Sequence, residues 1–377
     1  MGKKILTTFL ILLLGCNSAP AINNIHDEYQ ETQSTISNNI DKEHDQDIKI
    51  SSNKPKNSIP KKVNIDIVNE GNNLNNCKRY KGVGTKISVT ECLEINYAEN
   101  SHPRQTLNLW IPCKINECNQ KLFPLIIHIH GGGFKQGSKL EKPAAYILEE
   151  GFALASINYR LLPEYKFPDY LHDAKAAIRW LRGNEKKFYL NTSRIGVFGQ
   201  SAGGSLTSYL AFSNGIKELT INNITIDIEG KVGNYLNQSS EIQAAINYFG
   251  HADAAKYCAD KQEADNCKKR YEQSFLFTSP ISYIGKGETV PYMIIHGTKD
   301  DVVPYIHGEL LYKKFKNTYP DNNPELTFIT IENGGHGNWP NEQSTNKLLE
   351  NANTNFFHRN INNNNKYPFE VTRTITK

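Results

Sequence analysis

The chain is 377 residues long, enough for one large domain or two ordinary ones, and its 38% apolar and 22% charged content suits a soluble core. A formal net charge of +4 is small for this length, and the lysines are spread thinly, without the basic stripe and interleaved aromatics that tracking a phosphate backbone requires. Nucleic acid is therefore not an expected partner.

At the N-terminus, Lys3 and Lys4 precede an apolar stretch from Ile5 to Leu14. It is too short to span a bilayer and has the length of a secretory h-region, which predicts an export signal over residues 1–15. The stretch ends Leu13-Leu14-Gly15-Cys16 and resembles the lipobox of bacterial lipoproteins, where cleavage before the cysteine leaves it as the lipid-modified N-terminus. That resemblance implies an exported protein anchored to a membrane through Cys16, on its periplasmic or cell-surface side, without spanning it. Residues 16–76 follow, rich in Asn, Ser, Lys, Asp and Glu, with Val63 to Val68 the one apolar alternation. Such a segment buries too little surface to offset chain entropy and is read as a flexible polar tether.

Of seven cysteines, setting Cys16 aside leaves six in three sequence-local pairs: Cys77 with Cys92, Cys113 with Cys118, and Cys258 with Cys267. Local pairing is the simplest of many connectivities. In an exported chain disulfides are the expected state, and no CxxC or histidine-rich spacing suggests a metal.

From about residue 80 strand-like and helix-like segments alternate. Strands are predicted near 84–97, 104–111, 124–130, 152–159, 194–199, 243–249, 290–296 and 326–332, as short β-branched or aromatic runs. Between the fourth and fifth, Ala174, Ala177, Ile178 and Leu181 recur at helical spacing within a segment from Tyr170 to Lys187. Short buried strands alternating with helices predict an α/β fold, a mostly parallel eight-stranded sheet with helices on both faces.

Directly after the third strand stands His128-Ile129-His130-Gly131-Gly132-Gly133-Phe134. Closely spaced N–H groups of a glycine run can point at a developing oxyanion where side chains would interfere. Gly132 and Gly133 are the preferred donors, together with the N–H of Ala202, and His130 is expected to brace the loop rather than act as a base. The fifth strand runs into Gly199-Gln200-Ser201-Ala202-Gly203, followed by a helical pattern from Gly204 to Phe212. This is the strand, turn and helix of a GxSxG nucleophile elbow. The turn strains the Ser201 backbone and forbids side chains at 199 and 203.

A serine needs a base oriented by a carboxylate, and on such a fold the acid follows the seventh strand and the base the eighth. The first of these loops reads His296-Gly297-Thr298-Lys299-Asp300-Asp301-Val302-Val303-Pro304 and the second Glu332-Asn333-Gly334-Gly335-His336-Gly337. His336 sits in an exposed glycine loop, unlike His251, His296 and His307. Asp300 and Asp301 are adjacent, and residue chemistry does not separate them; Asp253 is a weaker third candidate.

Across residues 84 to 355 these stretches, with Asn158-Tyr159-Arg160-Leu161-Leu162-Pro163-Glu164, Phe167-Pro168 and Asp173, are similar to the α/β-hydrolase superfamily, in its hormone-sensitive-lipase-like and BD-FAE-like esterase branches. The family's Asp-x-x-Val-Pro pattern implies Asp300 as the acid, and its Tyr-Arg-Leu-x-Pro-Glu stretch implies a structural role. The resemblance implies a hydrolase domain over residues 77–360 with a triad of Ser201, Asp300 and His336, small-molecule carboxylic esters as substrates and no metal or organic cofactor. It also implies a cap insertion over about 251–288, carrying Cys258 and Cys267. A second polar insertion spans 214–240. Both are expected either to shape the pocket or to decorate the surface. Alternative readings on the same scaffold are a serine peptidase, a lactonase or deacylase, and a non-catalytic binding lipoprotein. The asparagine-rich run 351–364 reads as a frayed end, with residues 361–377 as a tail.

Overall fold

The structure, a computed structural model, describes residues 77–81, 87–113, 122–140, 144–260, 275–321, 323–364, 366–367 and 372–375. The expected signal, the lipidation site Cys16 and the tether lie outside the described residues, as do Cys118 and Cys267. In chain order the strands are β1 (Cys77–Lys81), β2 (Ser88–Asn96), β3 (Thr106–Ile111), β4 (Phe123–Ile129), β5 (Ala153–Ile157), β6 (Leu190–Gln200), β7 (Glu218–Ile221), β8 (Ile224–Asp227), β9 (Ala244–Tyr248), β10 (Tyr292–Gly297), β11 (Leu326–Ile331) and β12 (Thr372–Ile375). The helices are α1 (Tyr146–Glu149), α2 (Asp169–Gly183), α3 (Ala202–Phe212), α4 (Ala254–Asp260), α5 (Ile306–Thr318) and α6 (Glu342–Asn362).

Strands β4, β5, β9 and β10 are buried at every position, as apolar runs become when helices cover both faces of a parallel sheet. The order is β1-β2-β3-β5-β4-β6-β9-β10-β11-β12, antiparallel from β1 through β5 and parallel from there on. Alternate residues divide the core in two. Leu125, Ile127 and Ile129 pack with Leu171 and Ile178 of α2, Leu206 of α3 and Phe315 of α5. Ile126, Phe198 and Ile246 pack with Ile147 of α1 and Phe356 and Phe357 of α6.

All eight expected strands are present, and two more extend the sheet. On one edge β1 pairs with β2, where Cys77 lies opposite Cys92 and is joined to it by a disulfide. On the other, β12 pairs parallel to β11, so part of the expected tail belongs to the sheet. Cys113 and Cys258 are disulfide-bonded as well.

The expectation of a frayed end from residue 351 is corrected. Helix α6 runs unbroken to Asn362 and buries Leu349, Ala352, Phe356, Phe357 and Ile361. That apolar stripe is sparse in sequence but falls on one helical face.

The 214–240 insertion folds into the antiparallel hairpin β7–β8 and is held to α2 by charge. Glu229 takes Lys175 on one carboxylate oxygen and Arg179 on the other. Arg179 also donates to the carbonyls of Glu229 and Val232. Of the 251–288 insertion, the described parts are α4, a short 3-10 turn at Pro280–Tyr283 and their flanks.

Candidate active site

Because β6, β9, β10 and β11 are adjacent and parallel, their C-terminal loops collect at one edge of the sheet, where crevices form in open α/β sheets. Ser201 stands between β6 and α3 with φ 53° and ψ −119°, a conformation non-glycine residues rarely adopt. The cause lies in its neighbours. A Cβ on Gly199 would come within 2.5 Å of the Gly203 carbonyl oxygen, and one on Gly203 within 2.1 Å of the Ile129 carbonyl oxygen. Only glycine lets the turn press this closely on the end of β4. The Ser201 N–H donates to the Tyr248 carbonyl of β9 at 2.9 Å, and its carbonyl accepts from Ser205 N–H at 3.0 Å to open α3. Ala202 is thus the first residue of the helix, at the end where backbone N–H groups have no intrahelical partner.

The glycine loop lies against this elbow: a Cβ on Gly131 would be 3.0 Å from the Gln200 carbonyl oxygen and 3.3 Å from Ser201 Cβ. Gly132 and Gly133 both have positive φ, 100° and 62°. His130 braces the loop, as expected. Its Nε2 accepts from Arg104 Nη2 at 3.0 Å, which leaves Nδ1–H to donate to the Gly131 carbonyl at 2.8 Å. Its ring stacks on Tyr159 at 4.4 Å, and the Tyr159 hydroxyl donates to the His130 carbonyl. Burial, reinforced by the Arg104 charge, pushes the His130 imidazole down to about 3. Neighbouring His128, 2.7 Å from Gln200 Oε1 and 3.0 Å from Ser156 Oγ, is lowered by burial to about 4. Neither is a base at neutral pH.

The acid and base loops are laced together by Lys299 N–H on the Gly334 carbonyl (2.8 Å) and Thr298 N–H on the Ile331 carbonyl (3.0 Å). Within this frame Asp300 Oδ2 accepts from His336 Nδ1 at 2.8 Å. Asp300 Oδ1 accepts from the N–H groups of Val302 and Val303 at 2.9 and 2.8 Å. His296 Nε2 donates to the Val303 carbonyl at 2.8 Å and lies 3.4 Å from Asp300 Oδ2. Burial alone would raise the Asp300 carboxyl. The bonds from His296, His336 and Val303 N–H outweigh it and hold the group well below the usual carboxylate range. With Nδ1 donating to this carboxylate, Nε2 of His336 is the nitrogen free to accept a proton.

Asp301, by contrast, is exposed, and Asp253 accepts from Lys256 N–H at the start of α4. His251 bonds Ser205 Oγ through Nδ1 at 2.7 Å, and His307 Nδ1 accepts from Ala252 N–H. The Arg160 guanidinium and N–H both meet buried Asp173, which fits the structural role implied for that stretch. Among the described residues no cluster of His, Cys, Asp and Glu is arranged to hold a metal ion. Sequence reading missed Arg104, which lies in no recognised motif, and Phe249, whose ring meets that of His336 at 4.5 Å; an aromatic closing a strand carries no signature of such a contact.

A family model described as BD-FAE matches residues 113–315, more than half of the chain. Among curated proteins, the chain is 24% identical to the esterase LipC of Mycobacterium tuberculosis, over 62% of this chain and 57% of that protein. It is 40% identical to an arylesterase of Saccharolobus solfataricus over a shorter stretch, 25% of this chain and 32% of that protein. The chain spans about half the length of the first of these curated relatives. Among solved structures, a truncated carbohydrate esterase from gut microbiota aligns at TM-score 0.63 and 32% identity, over 72% of this chain and 96% of that one. The bifunctional GH43-CE protein of Bacteroides eggerthii aligns at TM-score 0.63 and 30% identity, over 72% and 35%.

Proposed function

The chain belongs to the BD-FAE family, with the α/β-hydrolase fold, and on that premise we propose that it is a serine carboxylesterase working through Ser201, His336 and Asp300. The observation that carries this reading is the 2.8 Å bond between His336 Nδ1 and Asp300, in the loops beside a strained Ser201 elbow. Ser201 Oγ attacks the ester carbonyl while His336 Nε2 takes its proton. Asp300 fixes the imidazole tautomer and stabilises the imidazolium. The N–H groups of Gly132, Gly133 and Ala202 receive the oxyanion, each such donor being worth about 10²–10³ in rate. His336 then returns the proton to the leaving alcohol, and a water, deprotonated by the same imidazole, releases the acid from the acyl-enzyme.

For the natural substrate we propose an acylated carbohydrate. This is supported by the two structural neighbours at 30% identity or more, one titled a carbohydrate esterase and the other a GH43-CE bifunctional protein. The peptidase, lactonase and binding-lipoprotein readings have no comparable support.

The test is fluorophosphonate labelling and p-nitrophenyl ester hydrolysis by the wild-type protein beside Ser201→Ala, followed by a panel of acetylated and feruloylated sugars. Loss of the label and a fall in turnover of about 10⁴–10⁶ are expected for the variant. Retention of most activity in folded Ser201→Ala protein would sink the assignment.

A further inference from the structure

Phe249 stands one residue beyond β9, outside every motif that marks the site. Its backbone has φ 41°, a left-handed conformation that a bulky residue keeps only where its surroundings enforce it. They do so from two sides. The Phe249 N–H donates to the Ile295 carbonyl of β10 at 2.8 Å, and the preceding Tyr248 carbonyl accepts the Ser201 N–H at 2.9 Å. The Tyr248 side chain is tied in turn to α6, its hydroxyl 2.7 Å from Asn353 Nδ2.

The Phe249 ring is buried and meets the His336 imidazole edge to face, with centroids 4.5 Å apart and an interplanar angle of 60°. Trp339, from the same loop as His336, packs against the Phe249 ring at 5.6 Å. Between these two, Gly337 has φ 83°, and a Cβ there would come 3.3 Å from Phe249 Cζ. The base loop is thus shaped around this ring.

The hydrogen bond from Nδ1 to Asp300 limits rotation of the ring about its Cβ–Cγ bond but leaves the imidazole able to tilt about that contact through coupled changes in χ1 and χ2. We infer that Phe249 supplies the second constraint and is the positioning residue of the base. Its ring holds the imidazole plane, while the Tyr248 carbonyl one residue earlier holds the nucleophile's backbone, so one dipeptide sets both partners of the proton transfer. The inference rests on the esterase reading above.

The experiment measures kcat and KM for p-nitrophenyl acetate, with thermal midpoints, in Phe249→Ala, Phe249→Leu and Phe249→Tyr, each in the wild-type and His336→Ala backgrounds. Displacing a reacting group by about 1 Å costs on the order of 10²-fold. Accordingly Phe249→Ala should lower kcat by about ten- to a hundredfold with KM within about twofold, and Phe249→Tyr should recover most of it. In the His336→Ala background, where residual turnover comes from the oxyanion donors and binding, removing the ring should cost nothing further, because a positioning residue has nothing left to position. An equal fold loss in both backgrounds overturns the inference, as does full kcat in folded Phe249→Ala; Phe249→Leu is read by the same criteria if the alanine variant does not fold. A wild-type protein that lacks Ser201-dependent labelling overturns the esterase reading and this inference together. A labelled, active wild type with an indifferent Phe249→Ala overturns this inference alone.

Discussion

Asp300 and Asp301 have the same side chain and differ in what meets it. Asp300 is buried, with both carboxylate oxygens occupied by donors, whereas Asp301 is exposed on the same turn. An asparagine at 300 preserves the shape but turns an amide N–H₂ either at the valine N–H groups or at His336. The second choice forces the imidazole into the wrong tautomer. Asp300→Asn should therefore lower kcat by about 10³–10⁴, while Asp301→Asn should stay within about threefold, as surface changes usually do. Steady-state kinetics on the two variants decides it, and a larger loss at 301 would overturn the choice of acid. The structure also explains why residue chemistry left the two open while the Asp-x-x-Val-Pro pattern separated them. The backbone N–H groups that seat the carboxylate belong to Val302 and Val303, so the spacing to the valines is itself the binding geometry. Gly199 and Gly203 were legible for a similar reason, since a turn this tight excludes every side chain. Arg104 was not: it reaches His130 across 26 residues of sequence, and no local pattern records such a contact.

Among the elements, legibility followed burial. The central strands are apolar at nearly every position because helices cover both faces, and such runs stand out in any sequence. Edge strands are under no such demand. Cys-Lys-Arg-Tyr-Lys and Thr-Arg-Thr-Ile pair on one side only and read as loop. Helix α6 was obscured differently, its asparagines dominating composition while Phe356, Phe357 and Ile361 carry the packing. The β7–β8 hairpin buries little apolar surface, and its attachment depends on Glu229 meeting two cations whose side chains are each 2% exposed. Ser240 Oγ donates to the same carboxylate. Removing that anion leaves buried Lys175 and Arg179 without the carboxylate hydrogen-bonded to both, and breaking a buried pair typically costs about 3–5 kcal/mol. Glu229→Ala should therefore lower the urea midpoint strongly, and Glu229→Gln, which keeps the hydrogen-bonding shape, should lower it less. Ester turnover below the midpoint should be unchanged, because the described contacts of the hairpin run to α2 and not to Ser201, Asp300, His336 or the oxyanion donors. A loss below about 1 kcal/mol would make this an ordinary surface pair.

At the scale of the whole molecule, three buried histidines among the described residues make the fold sensitive to pH. His128 on β4, His130 in the glycine loop and His307 on α5 are each 1% exposed or less, and burial lowers them to about 4, 3 and 3 respectively. An unfolded chain releases those protons near pH 6.5. Between these limits the unfolded state binds protons that the folded state refuses, so stability rises with pH across the window and is lost as pH falls. Above about pH 6.5 both states are neutral at these positions and the midpoint should be level. Below it, each histidine removes up to ~1.4 kcal/mol per pH unit until its folded value is reached. Asp300 acts in the same direction, but only in the acid range beneath ordinary carboxylates, so the upper part of the loss belongs to the histidines. Urea midpoints taken from about pH 7.5 to 4.5 should stay flat and then fall. His128→Gln, which removes one of three such groups, should make that fall shallower by about a third. Midpoints that remain level down to about pH 4.5 would mean that the folded protein accepts these protons. Because His130 accepts from Arg104 and donates to the Gly131 carbonyl, protonating it breaks the brace of the glycine loop. The folded protein keeps His130 neutral down to about 3, so across this window the loss is one of folded population, and His130→Gln, like His128→Gln, should make the fall in the urea midpoint shallower.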